Sequence, residues 1–477
     1  MAIWVVPGAP LDAGAGWRIW YSKPGTQEFK PEEVTVTRSG KEVPVDLPPP
    51  VQLPLFPELD RRMVVQEVRL RDPDPDGNAY QVKVPETGKT YTWRTLPDKL
   101  DHENPVTFFI SSCFWRDNDK EGACGAGVRT LTKLHQPAFK LLIGDQVYQD
   151  WPPAPLTGRS SAELYSDRYR TYWSDPAYQE VFTSSPNYFL CDDHEFWNDY
   201  PERQAQLMRT WHKRDEYGNV AQTLYELFQN SANGGGKPWR QFKIGPVGFF
   251  LCDTRSQRTH FADEPKSFIP AEQWADLTRW FDSLEGPGLL VLGQPLFQKD
   301  GDFKDHSLSN FADDYGRLCD EIVRTVKGER SNGSGNRPPH DVMILTGDIH
   351  RGRLSTAKFA GMGEGRVYEF VASPASRIGP YIKTPDPEPP PSKLRPVING
   401  REAPWEVDED EGSWTPMIDN NVGVVKMSVG TGGRVRLELS IWRHRPYDDR
   451  SFWERTFRSA QPQGDIVPLY RKEIELR

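Results

Sequence analysis

Residues 139–150 read FKLLIGDQVYQD, and this stretch decides the fold. Phe139–Ile143 is a short apolar run stopped by Gly144, the pattern of a buried parallel strand. Asp145 stands directly beyond it, with Tyr148 and Asp150 within the next turn. Open α/β sheets bind their ligands past the carboxyl ends of such strands, so a carboxylate and a phenol here can serve one metal ion. A strand followed by an Asp-containing turn is the plainer alternative. The layout recurs, however. VTFFISSC (106–113), NYFLCDD (187–193), VGFFLCDTR (247–255) and VMILTGD (342–348) are further apolar runs that end in polar, chemistry-bearing residues.

Around these runs the chain alternates. LLVLGQ (289–294) and VYEFVASP (367–374) add two strand candidates. SAELYSDRYRTYW (161–173), QAQLMRTWHKRDEY (204–217), PAEQWADLTRWFDSL (270–284) and ADDYGRLCDEIVRTV (312–326) carry helical patterns. Acidic residues in first turns and Pro270 near a start mark helix N-termini. Strands alternating with helices give an α/β core, and their continuous apolar character gives a sheet covered on both faces.

Residues 1–104 differ. WRIWYS, EVTVTR, VVQEVRL, AYQVKV and YTWRTL are short β-type runs separated by Pro/Gly/Asp clusters, which reads as a small sandwich serving as an accessory domain. The catalytic unit is expected over 105–447 and a tail over 448–477. VGVVKMSVG (422–430) and VRLELSIWR (435–443) form a closing hairpin. The Pro-rich segment 383–400 is either a linker or a loop lining the cleft, and Gly122–Gly127 is expected to be a flexible loop.

Composition bounds the partners. A net charge of −9 over 477 residues argues against a nucleic-acid-binding surface, which is usually basic. It leaves room for an anionic substrate, because bound metal reverses the local field. Five Cys without paired spacing do not make a disulfide framework. The N-terminus lacks the charged and apolar regions of a signal peptide, and no window approaches 18 apolar residues. A cytoplasmic protein without a membrane span is the expectation; the sequence leaves the oligomeric state open.

Five strand ends thus carry Cys113, Asp145 with Tyr148, Asp193 with His194, Asp253-Thr254-Arg255, and Asp348 with His350. Thiolate and phenolate are strong anionic donors suited to iron(III), by the donor matching that pairs carboxylate with Mg, Ca and Mn. A carboxylate between two ions can bridge them, and such a pair clamps both oxygens of a phosphoryl displacement.

GDQVYQD (144–150), DDHEFWND (192–199) and GDIH (347–350), following a strand that ends SSC (111–113), resemble the motif set of the PhoD-like alkaline phosphatase/phosphodiesterase family of calcineurin-like metallophosphoesterases. DTR (253–255), AEQW (271–274), DDYGR (313–317) and NNVGV (420–424) are similar to that family in order and spacing. The resemblance implies a four-layer αββα metallophosphoesterase sandwich with a small N-terminal β-sandwich. It implies two metal ions: iron(III) held by Cys113, Tyr148 and His350, and calcium (or manganese or zinc) held by Asp193 and Asp348, with Asp145 bridging. His194 would be the catalytic proton donor or transition-state stabiliser, and Arg255 and Asn198 would meet the substrate. The implied reaction is hydrolysis of a small phosphate ester by metal-bound hydroxide, with diesters favoured over monoesters. Many relatives are exported, unlike the expectation here.

The chain departs from the wider superfamily's opening Asp-x-His, which is replaced by Ser111-Ser112-Cys113, and Phe114-Trp115 follow where relatives carry Gln. Trp115, Trp151 and Trp197 beside the motifs are either an aromatic substrate rim or packing beneath loops. A rim would suit a phosphotriesterase or phospholipase-like specialisation. A catalytically silent binding module is the other alternative, and it predicts replaced metal positions that are not found in the core set.

Overall fold

The computed structural model describes residues 3–9, 16–23, 30–52, 62–71, 74, 78–119, 122–150, 159–201, 213–260, 263–298, 307–330, 336–376, 390–413, 415, 420–445 and 466–477. The core begins with β1 (Val106–Ser111), β2 (Phe139–Ile143) and β3 (Asn187–Leu190), which pair in parallel. The chain then lays down a second sheet from β4 (Arg240–Ile244), β5 (Val247–Cys252), β6 (Gly288–Leu292), β7 (Val342–Thr346), β8 (Arg353–Phe359), β9 (Val367–Val371), β10 (Lys393–Leu394) and β11 (Trp405–Glu409). Its spatial order is β4-β5-β6-β7-β9-β8-β11-β10. The chain finally returns to the first sheet with β12 (Asn420–Val429), β13 (Val435–Arg445) and β14 (Val467–Leu476), giving the order β3-β2-β1-β12-β13-β14.

Side-chain alternation explains why the two sheets stack. Successive strand residues point to opposite faces, so a strand apolar throughout must be covered twice. Phe108 and Ile110 of β1, Leu141 and Ile143 of β2, Phe249 and Leu251 of β5, and Met343 and Leu345 of β7 share one core between the sheets. Phe109, Leu142 and Phe189 point the other way, into a core with helices α1 (Ala123–His135), α2 (Ser161–Trp173), α3 (Pro176–Thr183) and α4 (Arg214–Phe228). Phe250, Leu290 and Ile344 meet α5 (Ala271–Ser283) and α6 (Ala312–Lys327) on the far side. The result is the expected four layers.

The five N-terminal runs are strands of two further sheets that share one core, including Val5, Trp17, Val36, Val68, Val82 and Trp93. Their last strand leads into the α/β core, and the chain's first strand (Ile3–Pro7), which precedes the five runs, is tied to that core as well. Ala9 N donates to Ala232 O (2.9 Å) and Asn187 Nδ2 to Pro7 O (2.9 Å).

Several expectations change. The glycines of 122–127 do not mark a flexible loop: α1 starts there, and its small residues permit close packing. A Cβ on Gly125 would lie 2.1 Å from Ala177 O of α3. Cys124 is accordingly buried, its thiol donating to Ala375 O at 3.1 Å. Of the Pro-rich segment, residues 390–400 are neither linker nor cleft lining. Lys393–Leu394 is an edge strand on β11, and Val397–Ile398 pairs with Arg401–Glu402 in a hairpin contacting α6; residues 383–389 lie outside the described part. The stretch read as a tail ends in β14, which pairs with β13 over nine registered positions and buries Leu476 between the sheets. The predicted helix 204–217 lies outside the described residues up to 212, and α4 begins at Arg214. Among the described residues, no helix is long and apolar enough to cross a membrane.

Leu476, 0% exposed, gives a direct test of the last strand. Leu476→Ala is expected to destabilise by about 2–5 kcal/mol, as deleting a buried leucine does, in equilibrium urea unfolding. A change below about 0.5 kcal/mol, the size of an ordinary surface substitution, would place β14 outside the cooperative core.

Candidate metal centre

Both sheets deliver ligand-type residues to one place. Cys113 and Asp145 each stand two residues past β1 and β2, Asp193 three past β3, and Asp348 two past β7. Gly144 allows the approach: its φ is 91°, and a Cβ there would sit 2.5 Å from Asp192 Cβ. Among the described residues, three sets of side chains bring their donor atoms within 4.8 Å of one another. They are Cys113, Asp145 and His350; Asp145, Asp193 and His194; and Asp192, Asp193 and Asp348. Asp145 links the first two sets and Asp193 the last two. Tyr148 joins the first through its hydroxyl, which donates to Asp145 Oδ2 at 3.2 Å.

The backbone is bent to achieve this. Cys113 (φ 58°), Asp145 (φ 56°), Asp348 (φ 68°) and His350 (φ 54°) all lie in the left-handed region. Non-glycine residues seldom adopt it, and such strain gathers at functional sites. Local bonds hold Cys113 and Asp348 in place. Cys113 N donates to Gly144 O (3.2 Å), and its carbonyl accepts from Ser376 N (3.0 Å). Ser373 Oγ donates to the Cys113 sulfur at 3.1 Å, and Ser112 Oγ lies 3.4 Å from it. Asp348 N donates to Ser112 Oγ at 3.2 Å, which ties the second sheet's loop to the first.

His194 is oriented from behind. Its Nδ1 lies 2.8 Å from Asp150 Oδ1, while Asp150 Oδ2 accepts from Asn198 N at 2.8 Å. The Tyr148 ring lies over the imidazole, with centroids 4.1 Å apart. Asn198 itself is partly exposed. Asp150 closes the opening stretch, yet its role was not visible there, because only the fold brings it to His194.

Arg255 requires a correction. It does not face a substrate: the guanidinium is fully buried, Nε donates to Asp192 Oδ1 at 2.6 Å, and Nη1 donates to Tyr200 O at 2.9 Å. Asp253 is equally internal, accepting from Arg255 N (2.9 Å), Ser256 N (2.8 Å) and the Ser256 hydroxyl. The DTR motif is a buried buttress for Asp192. The aromatic rim is also withdrawn for two of its residues. Trp115 and Trp197 are buried in the core beneath α1–α4, Trp151 lies outside the described residues, and Phe114 stacks on Tyr178 at 3.9 Å.

The charges crowd one another. Burial pushes the Asp145 carboxyl well above its ordinary range, with Asp193, Asp192 and Glu195 adding to the push and His194 opposing it. Burial, with Asp145 and Asp348 beside it, raises the Cys113 thiol well up, and burial with Asp145 and Cys113 does the same to the Tyr148 phenol. Burial opposes the charged form of His194, but Asp150, Asp193 and Asp145 carry its pKa well above normal. A bound cation reverses this logic for the acids and the thiol, deprotonating them. Oxygen, nitrogen and sulfur donors clustered and aimed at shared points fit a metal centre.

Two outcomes follow. In ion-free protein the raised Asp145 pKa means the folded state holds a proton that the unfolded state has lost. That contribution is full below the unfolded value and lost as pH rises through the folded one. Chelator-treated protein should therefore lose stability towards alkaline pH, and its melting temperature should fall further below that of metal-loaded protein at pH 8 than at pH 5. A gap independent of pH would remove the cluster from the stability balance. Arg255→Gln should cost about 3–5 kcal/mol, the effect of breaking a buried pair. It should leave KM of the remaining folded enzyme nearly unchanged, whereas a selective rise in KM would return Arg255 to the substrate.

A model of the PhoD-like phosphatase family matches residues 108–397. The chain is similar to the solved structure of PhoD, with a TM-score of 0.59 and 14% identity, covering 99% of this chain and 91% of that one; at that identity the likeness establishes the fold. A fainter likeness, with a TM-score of 0.39 and 10% identity over 78% of this chain and 89% of the other, is to GAP50, the anchor in the inner membrane complex of Plasmodium. Curated proteins give no match.

Proposed function

Since the chain belongs to the PhoD-like phosphatase family and is on that ground a phosphoesterase, we propose that it hydrolyses small phosphate esters, diesters in preference to monoesters, at a centre of two metal ions. Cys113, Tyr148 and His350 would hold the first, an iron(III)-type ion; Asp193 and Asp348 would hold the second, calcium, manganese or zinc; Asp145 would lie between them. The observation that carries the reading is the chain of three donor sets joined through Asp145 and Asp193. Ions in such a site polarise phosphoryl oxygens and bring the pKa of a coordinated water from 15.7 to about 7.

The protein's own groups do the rest. With Nδ1 committed to Asp150, Nε2 of His194 is the nitrogen left for a departing oxygen. Asp150, which is not among the proposed ligands, favours the protonated form of the ring, so His194 is suited to hold a proton at Nε2 and release it to the leaving group. Its charge also stabilises the charge developing on that oxygen, the kind of fixed electrostatic contribution that is often the largest in catalysis. Asp150 keeps the ring in place. Asn198, partly exposed and anchored to Asp150 through its backbone, offers a neutral amide to a substrate oxygen.

Elemental analysis, a visible spectrum and a panel of chromogenic mono- and diesters test this together. The purified protein is expected to carry two ions per chain and to show an absorption band that Tyr148→Phe shifts or removes. His194→Ala should lower kcat by about 10²–10⁴-fold, the usual worth of a proton-transferring residue, with metal content unchanged. Protein that holds no metal and gains no activity from added iron, calcium, manganese or zinc would overturn the proposal.

A further inference from the structure

Glu195 is the residue that DDHEFWND leaves without a role. It is 0% exposed, and its carboxylate receives five hydrogen bonds. Oε2 accepts from Asp145 N and Asp192 N, each at 2.9 Å. Oε1 accepts from Gln146 N at 2.6 Å, Val147 N at 3.3 Å and Gln229 Nε2 at 3.0 Å. Three of the donors belong to the loop after β2, one to the loop after β3 and one lies just past the end of α4. One side chain therefore joins the loop presenting Asp145 to the loop presenting Asp192, Asp193 and His194. No strand pairing performs this task, because the β2–β3 register ends at Ile143 and Leu190, before either loop begins.

We propose that Glu195 is a positioning residue that sets the spacing of the two ion sites, by fixing the Asp145 loop against the Asp193 loop. The proposal rests on the two-ion reading above. Its geometry requires two acceptor oxygens on a side chain of this length. Four backbone N–H groups converge on two oxygens, so an amide in either orientation would turn its own N–H groups against at least two of them. An aspartate, one methylene shorter, cannot reach both loops at once. Residues that orient metal ligands from behind typically change metal affinity by about 10–100-fold when replaced.

A merely structural role is the competing explanation, and Glu369 provides the control. It too is 0% exposed, accepting from Leu296 N (2.6 Å) and Phe297 N (2.9 Å) and pairing with Arg353 (2.7 Å). None of those partners is a proposed ligand.

The test adds iron(III) and then Mn²⁺ to chelator-stripped full-length protein, comparing wild type with Glu195→Gln, Glu195→Asp and Glu369→Gln. Stoichiometry, affinity and electron paramagnetic resonance are the readouts, with melting temperature alongside. Wild type is expected to take two ions with a magnetically coupled spectrum. Both Glu195 variants should bind at least one ion about 10–100-fold more weakly and lose the coupling, and the aspartate variant serves if the glutamine variant does not fold. Glu369→Gln should melt lower yet bind and couple as wild type does. Wild-type affinity and coupling in the Glu195 variants would overturn the positioning role, as would equal losses in Glu369→Gln. A wild type that fails to bind two ions would sink the two-ion reading itself, and the positioning role with it.

Discussion

The constraint on which this structure depends is the concentration of acidic groups at one buried point. Asp145, Asp192, Asp193 and Glu195 are each no more than 3% exposed. Left alone, such groups would repel or take up protons. The architecture answers with three devices: a buried guanidinium on Asp192, five N–H donors on Glu195, and a point where oxygen, nitrogen and sulfur donors converge. The first two neutralise the carboxylates that face inward. The third gathers Asp145, Asp193 and Asp348 with their neighbouring nitrogen and sulfur donors at one place, which is the physical content of the metal-centre reading.

The motifs beyond the donor sets have a common purpose. Asp314 of DDYGR accepts from Ser267 Oγ (2.6 Å), Phe268 N (2.9 Å) and Trp274 Nε1 (3.0 Å), so it fastens α6 to the AEQW start of α5. Gln273 of AEQW donates to Asp253 O at 3.1 Å, fixing the turn that carries Arg255. Asn421 of NNVGV donates from Nδ2 to Ser373 O at 2.6 Å, and Ser373 in turn donates to the Cys113 sulfur. NNVGV thus reaches Cys113 through one intermediate, whereas DDYGR and AEQW act from further back, through α5 and the turn that carries Arg255. Spacing in sequence gives no hint of this, since the partners lie up to 260 residues apart.

That separation also explains what was legible in the sequence. Apolar runs punctuated by Gly-Asp are local signals, so β1, β2, β3, β5, β6, β7 and β9 and the convergence of Cys113, Asp145, Asp193 and Asp348 could be anticipated. The direction of a side chain could not. Arg255 follows its strand in the same manner as a ligand does, but it turns inward because a buried Asp192 awaits it. Glycines at 122–127 suggested a loop because glycine is a poor helix former, and the tight packing of α1 on α3 that makes them necessary is tertiary. The final strand was hidden by the 446–465 stretch that precedes it, and by its charged residues: only Tyr470 and Leu476 are buried, too sparse a pattern to announce an edge strand.

Strain and charge finally point in one direction. Left-handed backbone costs on the order of 1–2 kcal/mol per residue, and four proposed ligands adopt it. Added to the burial of like charges, that is a substantial share of the roughly 5–15 kcal/mol by which domains are stable. A fold does not keep several unfavourable conformations in one place unless the surroundings over-determine them. Here the surroundings are visible: the Cys113 loop is locked to Gly144 and Ser376, the Asp348 loop to Ser112, and the Asp145 loop to Glu195. The extended sandwich, with its aromatic core beneath α1–α4 and its inter-sheet core of Phe, Leu and Val, provides the rigidity that lets the loops be held strained. The large apolar investment and the small polar cluster are therefore two parts of one design, in which packing far from the site preorganises the groups within it.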